Sequence, residues 1–106
     1  MTKHFRFGVQ VGGSHTGESL SGLARRAEEL GYSTIYFPDH FIDTELAPMI
    51  GMAAVASATS TLRVGALVFD NDYKHPAILA KEVATIDVLS GGRTELGIGA
   101  GWMEVD

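Results

Sequence analysis

Two adjacent residues of this sequence, Asp39 and His40, are its best candidates for acid–base chemistry. An imidazole gives or takes a proton close to neutral pH, and a neighbouring carboxylate can orient it or tune it. The pair follows a short β-rich segment that Pro38 ends, so it is expected in the loop where a strand finishes. A surface loop in which Asp39 only caps a turn would show the same residues.

A second candidate is the glycine series Gly97, Gly99 and Gly101 near the end of the chain. Exposed backbone N–H groups that lead towards a helix start can bind a phosphate. The spacing is not that of the dinucleotide fingerprint, which places a third glycine inside the following helix. A strand that exits through closely packed backbone would need the same glycines, so both interpretations stay open.

The polar residues Asp70, Asn71 and Asp72 do not predict a metal site. Three loop oxygens are too few for calcium, and their spacing is not that of a known calcium loop. Asn71 is expected to hydrogen-bond a ligand or to form a turn. The chain has no cysteine, and no metal-ligand spacing links its four histidines, which are His4, His15, His40 and His75. No bound metal is therefore predicted.

These candidates follow the strands of an alternating pattern. Period-two or near-continuous apolar residues predict strands at 5–11, 33–37, 62–69 and 94–98. Apolar residues at helical spacing and prolines suited to a first helical turn predict helices at 18–30, from 47–48 and from 76. Right-handed crossovers would make the four strands parallel and bring the candidates together at their carboxyl ends.

Length and composition limit the classes of function. The 106 residues carry a net charge of −5, are 45% hydrophobic and form one domain, residues 1–106. Interspersed charges without a basic run argue against nucleic-acid partners and an anionic membrane surface. No apolar run approaches the roughly 20 residues of a membrane span, and the N-terminus lacks a signal-peptide pattern. With no cysteine, the composition suits the cytoplasm.

The chain ends soon after the fourth predicted strand, and two interpretations follow. The favoured one is that the sequence is the N-terminal piece of a longer protein. The other is an open four-stranded α/β sheet, complete by itself or paired with a second copy. In either case exposed sheet edges and apolar helix faces predict self-association.

Four segments carry a resemblance to a known family. They are PDHF at 38–41, TLRVGALV at 61–68, NDYKHPAILAKEVATIDVLSGGR at 71–93 and ELGIGAGW at 95–102. In type and spacing they resemble the bacterial luciferase-like superfamily, and within it the oxidoreductases that use the deazaflavin coenzyme F-420. A sister branch uses FMN. The resemblance implies an α/β fold with parallel strands, in which this chain is the first half (strand, helix, strand, helix, strand, helix, strand) of a TIM (β/α)8 barrel.

The resemblance also implies roles for particular residues. Asp39 and His40 would be catalytic and would contact the ring of the cofactor, and a non-proline cis peptide is implied near Leu67–Val68. The segment from Gly99 to Trp102 corresponds to the region that binds the phosphate tail or the side of the ring. The expected cofactor-binding residues are Asp39, Leu67, Val68, Asn71, Gly99, Ala100, Gly101 and Trp102.

The implied activity is hydride transfer between coenzyme F-420 and a small organic substrate. Its first alternative is an FMN-dependent monooxygenase of the same superfamily. A second alternative is a catalytically silent half-barrel that serves as a binding or assembly module. Trp102 stands where the sugar-phosphate dehydrogenases of this branch have a glutamate, which argues against a glucose-6-phosphate-type reaction.

Overall fold

The structure, a computed structural model, describes residues 4–41 and 45–101. All of its paired strands are parallel, in one sheet of order β1-β2-β3-β5 and a two-strand sheet of β4 and β6. The predicted parallel α/β succession is therefore confirmed. The elements are β1 Gly8–Gln10, α1 Gly17–Glu29, β2 Thr34–Phe37, α2 Pro48–Ala58, β3 Arg63–Ala66, β4 Phe69–Asp70, α3 Pro76–Ser90, β5 Thr94–Glu95 and β6 Ile98–Gly99.

The third and fourth predicted strands are each divided in two. The third leaves its ladder at Leu67–Val68, where the peptide bond is cis as the resemblance implied. Beyond it, the N–H of Phe69 donates to the carbonyl of Gly97 at 2.8 Å, and β4 pairs with β6. Hydrophobic patterning does not detect such an interruption, because the residues on both sides of it remain apolar.

The first strand is shorter than predicted. It begins at Gly8, and the side chains of Phe5 and Phe7 are 92% and 68% exposed. Only Val9 and Val11 of that alternating series pack with the core. The apolar alternation therefore continues into residues that the described part of the chain does not bury.

The core lies between the main sheet and its helices. Ile35, Phe37, Val64 and Ala66 share the face towards the helices, and each is at most 1% exposed. Helix α2 packs closely on this face, since a Cβ at Gly51 would lie 2.5 Å from Cε1 of Phe37. The helix therefore approaches the sheet only because position 51 has no side chain.

The opposite face of the main sheet is polar, since successive side chains of a strand point to opposite faces. Thr34 and Tyr36 of β2, Arg63 of β3 and Glu95 of β5 lie on it, and three of them hydrogen-bond to the carboxylate of Glu95. We call these four residues the polar face. It connects three neighbouring strands through side chains as well as through the backbone ladder.

Helix α1 is fastened to the loop before β3 by one carboxylate. Oε2 of Glu28 accepts from the backbone N–H groups of Ser60, Thr61 and Leu62 at 2.9, 2.7 and 2.9 Å, and from Oγ1 of Thr61 at 3.1 Å. These bonds, the backbone bond from Thr61 foremost, outweigh burial and lower the pKa of Glu28 from 4.5 to about 2.

Replacing Glu28 with glutamine is expected to lower the free energy of unfolding by about 2 kcal/mol near neutral pH, since hydrogen bonds to a charged acceptor are lost at a partly solvated site. Because the folded pKa is depressed, the stabilisation is present above 4.5 and is lost as the pH falls towards about 2. Urea unfolding near pH 7 and near pH 3 measures both effects.

The matched control is Glu29→Gln, on the neighbouring exposed position of the same helix. It is expected to leave both stability and its pH dependence close to those of the wild type. If Glu28→Gln and wild type lose stability equally between these two pH values, the carboxylate does not act as described.

Candidate functional site

A small cavity opens at the carboxyl ends of the strands. Its volume is about 90 Å³, and its walls come from the loop after β2, the segment after β3, the end of β4 and the residues after β6. The crossover topology brings these separate segments together at one edge, as the sequence predicts. The residues that line the cavity are Asp39, His40, Leu67, Val68, Asp70 and Gly101.

Five of the predicted site residues therefore meet at this cavity, and three others do not line it. Asn71 is exposed, and its backbone N–H donates to the carbonyl of Gly99 at 2.8 Å, which extends the pairing of β4 with β6 by one hydrogen bond. Ala100 is exposed beside it. Trp102 lies outside the described residues, so its predicted role remains a prediction, as do the roles of the others.

Asp39 is half-buried, and a backbone hydrogen bond holds its carboxylate. Its Oδ2 accepts from the N–H of Asp70 at 2.9 Å. Burial, together with the nearby carboxylate of Asp70, raises the pKa of Asp39 above its ordinary value of 3.8, against the effect of that N–H. Asp39 thus keeps a proton to a higher pH than an exposed aspartate does, next to the imidazole of His40.

Asp70 is the site residue that sequence reasoning missed. The sequence places it at the carboxyl end of a strand but assigns it no role in the site, whereas its carboxylate lies at the cavity edge, with Oδ1 accepting from the N–H of Asp72 at 2.9 Å. A Cβ at Gly101 would lie 2.7 Å from its Oδ2. The available signal was its position at the end of a strand, beside the loop of Asp39 in the predicted parallel order.

Leu67 and Val68 give the cavity an apolar wall. They are 53% and 37% exposed, although they directly follow the three buried residues that end β3. One wall is thus aliphatic, and Asp39, His40 and Asp70 form a polar edge beside it. This combination suits a flat ring that has an apolar face and a polar rim.

The glycine series is closely packed in the structure. Cβ atoms at Gly97 and Gly99 would meet the side chain of Val68 at 3.2 and 2.5 Å. Gly101 has a φ of 85°, a conformation that favours glycine. The strand-exit interpretation thus has a physical reason at all three positions, and binding of a cofactor phosphate by this backbone stays a prediction.

A larger cavity, of about 330 Å³, lies behind the same polar edge and shares Asp39, His40 and Asp70 with the smaller one. Its apolar walls include Phe69 and Leu79. Two further lining residues form an ion pair, in which the ammonium of Lys74 donates to the carboxylate of Glu82 at 3.0 and 3.1 Å. The polar edge can therefore contact ligand groups from two sides.

Within residues 4–41 and 45–101, no three histidine or acidic side chains come together as a metal ion would require. In the same described part of the chain, no helix is both long enough and apolar enough to cross a membrane.

Comparison with known proteins identifies the family. The luciferase-like monooxygenase family matches residues 3–106. An F-420-dependent glucose-6-phosphate dehydrogenase of Amycolatopsis mediterranei is 36% identical over 89 residues, which are 77% of this chain and 27% of that protein.

Solved structures agree in fold. The coenzyme F-420-dependent tetrahydromethanopterin reductase of Methanopyrus kandleri has a TM-score of 0.83 and 28% identity, over 92% of this chain and 27% of that one. The oxygenating constituent of 3,6-diketocamphane monooxygenase of Pseudomonas putida, in complex with FMN, has a TM-score of 0.81 over 94% of this chain and 30% of that one. At 22% identity the latter shows the fold alone. This chain, which spans 27–30% of these three relatives, belongs to the luciferase-like monooxygenase family.

Proposed function

We propose that this chain provides the cofactor-facing part of an oxidoreductase that transfers hydride between coenzyme F-420 and a small organic substrate. The observation that carries the proposal is the cavity at the carboxyl ends of the strands, where an aliphatic wall meets Asp39, His40 and Asp70. The names of two relatives, the dehydrogenase at 36% identity and the reductase at 28%, support the choice of cofactor.

The residues present suit a deazaflavin ring. Leu67 and Val68 offer an exposed aliphatic surface to one face of such a ring and would keep water from it. When bound, the coenzyme supplies a ring carbon that takes up or releases hydride, while the protein supplies position and polarity. Asp39 and His40 would contact the polar rim of the ring.

Proton transfer is the expected task of the Asp39–His40 pair. The raised pKa of Asp39, caused first by burial, makes its carboxyl easier to protonate than that of an exposed aspartate, beside the position proposed for the ring. His40 lines both cavities, so its imidazole can hold a proton or release it to a substrate beside the ring. Asp39 would then orient the ring, and His40 would exchange the proton.

The cofactor and the residues can be tested together by fluorescence titration of the chain with coenzyme F-420 and, separately, with FMN. We expect F-420 to bind with a micromolar dissociation constant. Asp39→Ala and His40→Ala should each weaken that binding about tenfold, the equivalent of one lost polar contact of about 1.4 kcal/mol. The control Asp72→Asn, on an exposed side chain, should bind as the wild type does.

Other outcomes point to the alternatives. Tighter binding of FMN than of F-420 would support an FMN-dependent monooxygenase of the same family. Binding of neither cofactor at millimolar concentration would support the silent binding or assembly module and refute the proposal.

We also infer that the protein works in the cytoplasm and that the chain self-associates. The second inference is supported by the exposed apolar side chains of Leu96 and Ile98. They come shortly after β5, which within the described residues pairs with only one neighbouring strand of the main sheet.

A further inference from the structure

Val68 sits in a notch formed by two glycines of the neighbouring segment. A Cβ at Gly99 would lie 2.5 Å from Cγ2 of Val68, and one at Gly97 would lie 3.2 Å from Cγ1. Carbon atoms do not approach as closely as 2.5 Å without a shift, so an alanine at 99 requires Val68 to move. By contrast, a Cβ at Gly22 in α1 would meet nothing within 4 Å.

The backbone around the notch is held by neighbouring strands. The N–H of Phe69, directly after Val68, donates to the carbonyl of Gly97 at 2.8 Å, and the N–H of Leu67 donates to the carbonyl of Phe37 at 2.9 Å. The residue before Val68 is thus tied to β2, and the residue after it to Gly97, directly before β6. Valine has a β-branched side chain with few rotamers, so it cannot easily turn out of the notch.

We propose that the fit of Val68 between Gly97 and Gly99 positions the aliphatic wall of the cofactor cavity, because it determines how far Val68 projects towards the ring. The inference rests on the proposed function, because the ring is what that wall would contact. A methyl group added at 99 would push Val68 into the cavity and displace the ring from Asp39 and His40. Val68 and Gly99 therefore act as one unit, because the combined volume at positions 68 and 99 determines where the wall lies.

A double-mutant cycle tests this unit. The variants are Gly99→Ala, Val68→Ala and the two combined, each measured for F-420 affinity, for the absorbance spectrum of the bound ring and for urea unfolding. Gly99→Ala is expected to weaken binding about tenfold and to shift the bound spectrum in the wild-type background. In the Val68→Ala background the same change should weaken binding less than about twofold, because the clash is gone. Gly22→Ala should leave affinity and spectrum unchanged.

Equal effects of Gly99→Ala in both backgrounds would overturn the proposal. Coupling in unfolding without coupling in affinity or spectrum would show a purely structural fit, and would overturn the positioning role as well. If the wild type binds neither F-420 nor FMN, the proposed function fails. The fit of Val68 in the notch is then still tested by urea unfolding of the same double-mutant cycle, in which additive losses of stability would refute it.

Discussion

Replacing Arg93 with alanine is expected to lower the free energy of unfolding by about 4 kcal/mol, because several carbonyl acceptors lose their donor in a partly buried place. The guanidinium donates through Nε to the carbonyl of Ser90 at 2.6 Å and through NH1 to that of Leu62 at 2.8 Å. Its NH2 donates to the carbonyls of Ala56 and Thr59 at 2.9 and 3.3 Å. Urea unfolding followed by circular dichroism measures the loss.

The position of these acceptors explains the size of the effect. Ala56 and Thr59 lie at the C-terminal end of α2, which has no basic residue in its last turn. Arg93 supplies the missing donor and the positive charge that such a helix end favours. The same side chain reaches the end of α3 and the start of β3, so one residue fastens three elements.

Lysine at the same position separates charge from geometry. Arg93→Lys keeps the positive charge but cannot fork between acceptors, so it is expected to lose about half as much stability as the alanine variant. If Arg93→Ala costs less than about 1 kcal/mol, the carbonyls find other donors and the fastening role is wrong. If the lysine and alanine variants lose the same free energy of unfolding, only the forked geometry of the guanidinium stabilises the protein.

The order of helices and strands could be predicted because it depends on local signals. Pro48 and Pro76 begin their helices, and Gly91 ends α3 with a φ of 72°. The division of the third strand could not be found from the apolar run 62–69. Patterning records which residues are buried, and the departure at Leu67 depends on which strand lies beside it.

The candidate site was predictable to the extent that topology determines it. Asp39 and His40 follow one strand, and Gly101 another, so parallel order alone brings them to one edge. The position of Asp70 in the site depends on the hydrogen bond from its backbone N–H to Asp39 and on its close approach to Gly101, which has no Cβ. Each of these partners is about 30 residues away along the chain. Arg93 follows the glycines that end α3, and its acceptors 31–37 residues away carry no sequence signal.

Glu95 is the centre of the polar face. Its carboxylate accepts from the phenol of Tyr36 at 2.6 Å, from Nε of Arg63 at 2.9 Å and from Oγ1 of Thr34 at 3.2 Å. Burial raises the pKa of Glu95, but these hydrogen bonds outweigh burial, and the pKa lies below 4.5. The more distant Arg6, at 3.4 Å and with a 65% exposed side chain, adds little.

Replacing Glu95 with alanine is expected to lower the free energy of unfolding by about 3 kcal/mol, since it leaves the buried Thr34 and the partly buried Tyr36 and Arg63 without their shared acceptor. Glu95→Gln should lose about half of that, because an amide oxygen accepts without the charge. The folded pKa is depressed, so the carboxylate's contribution is present above 4.5 and disappears as the pH falls below that value. The gap between wild type and Glu95→Gln should therefore close in acid.

Tyr36→Phe provides the matched control, since it removes one donor and leaves the ion pair between Glu95 and Arg63 in place. It is expected to cost about 1 kcal/mol, and to reduce the further loss caused by Glu95→Gln when the two changes are combined. Additive losses would mean that phenol and carboxylate contribute separately to stability. A gap between wild type and Glu95→Gln that stays constant down to about pH 3 would show that the charge of Glu95 contributes nothing, and that the polar face is held by shape and backbone pairing alone.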